Sequence, residues 1–174
     1  LPGKSGRSMT RLSEYGKLLR NKQVVKRTYQ MSEKQFSRLV NKTALKTSKT
    51  SNITHDSALY QLLERRCDVV LLRAWIANTI MQARQMMTHG HWMLNGRKHN
   101  IPSYFMKPGD VLSLRKSLQN SPLYSANSSS NFRVPFWIKV NSSDMSLELT
   151  QLPTSEWKEL PADLLKVIEF YARV

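Results

Sequence analysis

This 174-residue chain is poor in cysteine, in acidic residues and in long apolar runs, and each shortage excludes something. Cys67 is the sole cysteine, so no internal disulfide can form and the second thiolate of a zinc knuckle is missing. It lies between Arg66 and Asp68 in a helical run with no base partner in view, and reads as a semi-buried, inert thiol. No apolar run reaches the roughly 18 residues that a membrane-crossing helix requires. No signal peptide is visible, and the chain begins at Leu1 rather than Met, which leaves room for a native start upstream. Residues 117–174 carry neither a phosphate-cradling glycine loop nor a spaced pair of acids in an apolar setting. No catalytic residue, cofactor or small-molecule substrate is expected.

What the chain has in excess is positive charge. It carries 27 Lys and Arg against 12 Asp and Glu, a net +15, and a pI near 10.3. The excess is blocked out along the chain: +11 over residues 1–50, +5 over 51–116 and −1 over 117–174. Such asymmetry is the electrostatic footprint of a polyanionic partner. A membrane surface is disfavoured, because no amphipathic stretch couples Lys and Arg to an exposed aromatic face. A hydrophobic content of 40% with 22% charged residues fits a globular protein with extended basic parts.

Residues 1–10 form a Gly/Ser/Lys-rich arm without periodicity. A basic helix is predicted from Ser13 to Tyr29, with Tyr15, Leu18, Leu19 and Val25 as a thin apolar stripe. Ser32 and Gln35 have the form of a capping box opening a second helix that buries Phe36, Leu39 and Val40. Residues 46–54 read as a polar linker. Asp56 can cap a long helix from Ser57 to about Ala77, with Leu59, Leu62, Leu63, Val70 and Leu71 in the core and Glu64, Arg65, Arg66 and Asp68 on the exposed side. Thr79–Thr88 reads as a further helix, capped by Thr79 and ended by Gly90.

Residues 89–115 (HGHWMLNGRKHNIPSYFMKPGDVLSLR) then predict strand, turn, strand, turn, strand. Asn95-Gly96 suits a type I′ hairpin turn, and Pro108-Gly109 a type II turn before Val111, Leu112 and Leu114. Residues 117–131 form a Ser/Asn-rich, mobile linker. Two strands follow at 136–141 and 146–150, joined by Ser142-Ser143-Asp144; Asp144 and Glu148 on this hairpin read as solubilising. Pro161 suits the first turn of a short helix, and 166–174 alternates as a closing strand. That strand is expected to return to the N-terminal helices, with Ile168 and Phe170 completing their core.

Four collinear stretches carry a family resemblance: LPGKSG at 1–6, LSEYGKLLRNKQVVKRTYQMSEKQF at 12–36, LERRCDVVLLRAWIANTIMQARQMMTHGHWMLNGRKHNIPSY at 63–104, and the terminal LLKVIEFYARV. Together they resemble bacterial-type ribosomal protein S4. The resemblance implies an α+β protein divided as 1–56 (basic arm and helices), 57–116 (an inserted two-helix, small-sheet RNA-binding domain), the linker 117–131, and 132–174 packing back on the N-terminal part. It implies a structural protein of the small ribosomal subunit, bound to small-subunit rRNA and to neighbouring ribosomal proteins where mRNA enters. The zinc-binding cysteines of some relatives have no counterpart here. Cys67 replaces a usual leucine, and Trp75, Trp92 and Phe105 are bulkier than the family's common choices. The composition points to an organelle, the mitochondrion rather than the plastid, with a bacterial cytoplasm as the alternative.

The RNA-binding candidates are Lys4, Arg7, Arg11, Lys17, Arg20, Lys22, Lys26 and Arg27 in the basic arm and first helix, and Arg65, Arg84, Gln85, His89, Asn95, Arg97, Lys98 and Ser103 in the inserted domain. Arginine suits phosphate through its planar fork of donors. The competing reading of each arginine is an ion pair, for example Arg65 with Asp68 three residues on. Tyr104 and Trp92 could stack on bases, although aromatics beside Val111 and Leu114 are more often core. His89 and His91 would share a strand face, but only His99 could join them, so no metal is expected. Two other readings remain: an RNA-modifying enzyme carrying the same small domain, for which 117–174 is too short, and a free RNA chaperone or rescue factor.

Overall fold

Ser13 starts the first helix by accepting a hydrogen bond from the Gly16 N–H at 3.1 Å, so α1 runs Glu14–Thr28. The computed structural model describes residues 13–49, 52–125, 133–154, 160 and 162–173. Ser32 and Gln35 form the expected reciprocal cap, Gln35 N–H to Ser32 Oγ at 3.2 Å and Ser32 N–H to Gln35 Oε1 at 3.4 Å. The helix it opens, α2, runs Glu33–Lys49 and buries Phe36, Leu39 and Val40. It therefore occupies residues 46–49, which the sequence reading gave to a linker.

The long helix expected at 57–77 is two helices, α3 (His55–Glu64) and α4 (Cys67–Arg73). The break has a non-local cause. Arg66 pairs with Phe105 in an isolated antiparallel bridge. Around it, Arg65 O accepts from the Met106 N–H at 2.7 Å, and the N–H groups of Cys67 and Asp68 reach the Tyr104 and Pro102 carbonyls at 3.0 and 3.1 Å. A loop that is 40 residues downstream thus takes the backbone groups that would have continued the helix. α3 begins one residue before Asp56, with Thr54 in the N-cap position. Glu64, Arg66 and Asp68, expected on an exposed face, are buried. So is Cys67, whose thiol burial pushes well above its ordinary range, followed by the negative neighbours Asp68 and Asp110. α4 ends on Trp75 at φ +63°, a left-handed position usually given to glycine.

α5 (Ile80–Thr88) is capped by Thr79, whose Oγ1 accepts from the Gln82 N–H at 3.0 Å, and the chain turns at Gly90 with φ +74°. The three strands follow as predicted: β1 Trp92–Leu94, β2 Arg97–Lys98 and β3 Val111–Leu114, with Asn95 and Gly96 at φ +50° and +80° in the hairpin turn. A 3₁₀ turn (Lys116–Leu118) and the short α6 (Pro122–Ser125) occupy the first part of the supposed linker. Tyr124 fixes them: it is buried, its ring lies 5.9 Å from Trp92, and its hydroxyl is 2.9 Å from His91 Nδ1.

β4 (Ile138–Asn141) and β5 (Ser146–Leu149) form the expected hairpin, and β5 pairs with β3. One antiparallel sheet results, in the order β2-β1-β3-β5-β4. Leu112 faces Leu147 across it, and Trp92 faces Leu114. These side chains, with Trp137 and Leu149, bury one side of the sheet in a core continuous with α3, α4 and α5. Trp92 is therefore a core residue and unavailable for base stacking.

The last element is a helix, α7 (Leu164–Arg173), where a strand was expected. Residues 166–174 alternate, but Leu164, Val167 and Phe170 also recur at helical spacing, and those three are buried. Tertiary contact decides between the two periods. α7 packs along α1, with Phe170 5.8 Å from Tyr15, and Tyr171 5.9 Å from Phe36 of α2. The C-terminal segment is thus divided: its hairpin extends the sheet, and α7 returns to the N-terminal helices. Pro161 lies outside the described residues. Among those residues, no helix is long and apolar enough to cross a membrane.

Candidate nucleic-acid interface

β2 is an edge strand of two residues, and both of its side chains, Arg97 and Lys98, are exposed. They stand there because the Asn95-Gly96 turn reverses the chain and Asn95 is tied at both ends. Its Nδ2 donates to Asp110 Oδ1 at 2.9 Å, and its Oδ1 accepts from the Val111 N–H at 2.9 Å. Asp110 also accepts from the Lys107 N–H at 2.8 Å and the Tyr104 hydroxyl at 3.1 Å. Burial would raise the Asp110 carboxyl, but these hydrogen bonds from Lys107, Asn95 and Tyr104 outweigh it and hold the group below the usual carboxylate range. A fixed carboxylate thus braces the turn, and an open cleft of about 490 Å³ lies beside it, lined by Leu94, Asn95, Arg97, Lys98 and His99. Among the described residues, neither Arg97 nor Lys98 has an acidic partner.

The other candidates sort into exposed and engaged groups. Gln85 and His89 are exposed on and just beyond α5, and Ser103 is exposed in the loop between β2 and β3. Asn95 is exposed but its side chain is committed to the turn. Arg84 corrects the sequence reading: its guanidinium is spent inside the protein. Its Nε donates to Asp68 Oδ2 at 2.9 Å, Nη1 to the Gln30 carbonyl at 2.7 Å, and Nη2 to the Tyr29 carbonyl at 2.9 Å. Arg65 is half-buried, and its Nε donates to the Met106 carbonyl at 2.7 Å. The partner of Asp68 on its own helix is Arg66, with bonds of 3.1 and 3.0 Å, and not Arg65.

On α1, Arg20 and Arg27 are exposed and have no acidic partner among the described residues. Lys22 and Lys26 meet Glu33 of α2 at 2.8 and 3.3 Å, and Lys22 is buried with its ammonium 5.0 Å from the Phe170 ring centre. Lys17 makes a loose contact with Glu14 at 3.6 Å. Lys4, Arg7 and Arg11 lie outside the described residues. The helical part and the sheet part are clamped together by a second buried carboxylate, Glu64. It accepts from Tyr29 Oη at 2.5 Å and from Arg73 Nε and Nη2 at 2.9 Å each.

No group of three or more His, Cys, Asp or Glu among the described residues could hold a metal. His91 is turned to Tyr124, and His89 sits in the C-cap position of α5 rather than on a strand. The arrangement offers exposed cations and hydrogen-bonding groups beside a braced turn at a sheet edge and along a helix. That suits binding a phosphate backbone.

Comparison with known proteins agrees with this layout. Residues 1–64 match the Ribosomal protein S4/S9 N-terminal domain and residues 65–112 the S4 domain, so the boundary falls at the break between α3 and α4. The chain is 37% identical over 172 residues to the small ribosomal subunit protein uS4 of Thermoanaerobacter sp. (strain X514), covering 99% of this chain and 81% of that protein. Identity to the uS4 protein of Persephonella marina is 38% over 177 residues, covering 98% and 84%. For Thermotoga petrophila it is 40% over 176 residues, covering 99% and 81%. Two domain matches in series and this end-to-end similarity show that the chain belongs to the uS4 family of small ribosomal subunit proteins.

Proposed function

We propose that this protein is a structural constituent of the small ribosomal subunit, which binds small-subunit rRNA, supports assembly and translation, and catalyses no reaction. The observation that carries the reading is the pair Arg97 and Lys98, exposed on an edge strand whose turn is braced by Asp110 and left without acidic partners among the described residues. Gln85, His89 and Ser103, together with Arg20 and Arg27 of α1, extend the exposed polar and basic surface. Cations supply position and affinity through phosphate, and shape selects the RNA site. The engaged arginines, Arg65, Arg66, Arg73 and Arg84, hold the frame that presents this surface.

The neighbours in the subunit are other ribosomal proteins, at the place where mRNA enters. An organellar source, mitochondrial in preference, is supported by composition: one cysteine, eight methionines and a Ser/Asn-rich stretch at 117–131. The relatives described above are bacterial. A cross-linking map on assembled small subunits tests the reading. Cross-links from Arg97 and Lys98 to rRNA are expected, with retention of the protein on subunits washed in high salt. Loss of the protein in that wash would assign it instead to the free RNA chaperones or rescue factors.

A further inference from the structure

Residues 116–125, the 3₁₀ turn and α6 together, close the end of the sheet opposite the Asn95-Gly96 turn, and little holds them there. Among the described residues, two hydrogen bonds tie this stretch to the fold beyond the adjoining Arg115. Gln119 Nε2 donates to the Asp144 carbonyl at 3.4 Å, a long contact, and the Tyr124 hydroxyl lies 2.9 Å from His91 Nδ1. Tyr124 is also the one fully buried residue of the stretch, its ring 5.9 Å from both His91 and Trp92. The other bonded N–H groups, those of Leu118, Gln119, Ser121 and Ser125, reach carbonyls three or four residues back. One side chain therefore pins the strap.

The pin depends on the charge of His91. Burial pushes the Tyr124 hydroxyl up to about 12, so it keeps its proton and donates to Nδ1 when the imidazole is neutral. A protonated imidazole carries N–H on both nitrogens, and the hydroxyl would have to reverse and find another acceptor. The buried Trp92 ring beneath offers only a donor, and its own N–H has no bonded partner among the described residues. The charged and titratable groups around the ring also oppose a cation. They are His89 from the end of α5, with its ring 6.0 Å away, and Arg115 from the end of β3, whose N–H donates to the His91 carbonyl at 3.0 Å. No carboxylate among the described residues bonds to His91. Burial first, then His89 and Arg115, hold the imidazole below its ordinary range.

We propose that His91 and Tyr124 form an acid-released latch, which holds the 116–125 strap over Trp92 while His91 is neutral and frees it when His91 is protonated. The closed form binds fewer protons than the open one. Closure is therefore fully favoured above the ordinary histidine value, about 6.5, and is lost as pH falls through the lower value of the closed form. Release uncovers Trp92 and the start of β1. The Asn95-Gly96 turn, with Arg97 and Lys98 beyond it, stands at the other end of that strand and keeps its brace from Asp110. The latch is thus independent of the proposed rRNA-binding surface.

Hydrogen exchange of the full chain at about pH 7.5 and about pH 5.5, corrected for the intrinsic pH dependence of exchange, tests the latch. Both conditions lie above the range in which Glu33 titrates. Protection of the Leu118, Ser121, Tyr124 and Ser125 N–H groups should fall at the lower pH, by up to about tenfold for each pH unit between the closed and open values, while β1 and β3 keep theirs. His91→Asn sets an acceptor near the Nδ1 position that does not titrate, so its strap should hold equally at both pH values. Tyr124→Phe keeps the ring and loses the hydroxyl. Its strap should be less protected at the higher pH, and the His91 imidazole signal in NMR should titrate at a higher pH than in the wild type. Equal protection of the wild-type strap at both pH values would overturn the latch. So would an equal acid loss in His91→Asn, a loss that extends through β1 and β3, or an unmoved His91 titration in Tyr124→Phe. The proposed rRNA binding stands whichever result is found.

Discussion

Arg84 of α5 meets Asp68 of α4 with Nε 2.9 Å from Oδ2, while Arg66 holds the same carboxylate from its other side at 3.1 and 3.0 Å. The remaining donors of Arg84 reach the carbonyls of Tyr29 and Gln30. Gln30 has φ +51°, so the link after α1 is held in a left-handed turn by a side chain of the sheet domain. One guanidinium thus ties α4, α5 and the end of α1 together.

Removing it should cost stability. For Arg84→Ala we expect a loss of about 2 kcal/mol, because a buried carboxylate and two carbonyls lose charge-assisted partners. Chemical denaturation of the full chain measures this. Unchanged stability together with weakened rRNA binding would return Arg84 to the surface role its sequence position suggested.

Phe170 of α7 sits between the Tyr15 ring and the Lys22 ammonium, at 5.8 and 5.0 Å. Phe170→Ala should destabilise the helical part by about 3 kcal/mol, the low end for truncating a buried aromatic. Hydrogen exchange should then show lost protection over Glu14–Thr28, with β1 and β3 nearly unaffected. Full protection of α1 in that variant would show that α7 is not part of its core.

Glu33 gives the helical part a pH dependence. Burial would raise its carboxyl, but hydrogen bonds from Lys22, Tyr171 and Lys26 outweigh that and hold it below its ordinary value. A folded value below the unfolded one, about 4.3, means that the unfolded chain takes up protons first as pH falls. The contribution is fully present above that unfolded value and is lost as pH drops through the folded one. The thermal midpoint of the wild type should fall between pH 5 and pH 3 more steeply than that of Glu33→Gln. Parallel curves would contradict this.

The parts legible in the sequence were those with local causes. Ser32 with Gln35 and Thr79 cap backbone groups within four residues, the Asn95-Gly96 turn reverses the chain through its own positive φ angles, and the structure has these as read. The break at Arg65 and Arg66 was not legible, because Phe105 and Met106 cause it from 40 residues away while the leucine spacing runs through it undisturbed. α7 was misread because 166–174 satisfies both the two-residue and the helical period, and only the α1 surface selects between them. For the candidate site the same division holds. Arg97 follows a turn that fixes its exposure, whereas Arg84 is indistinguishable from a surface arginine until Asp68, Tyr29 and Gln30 are brought to it.

The most direct test of the central claim is a salt titration of rRNA binding by the full chain and by Arg97→Ala and Lys98→Ala. Both side chains are exposed at the sheet edge, so folding should be unaffected. Each variant should lower the slope of log K against log salt by roughly 0.7–0.9, the release expected for one phosphate contact. Slopes identical to the wild type would contradict the account, since the sheet edge would then play no part in holding RNA.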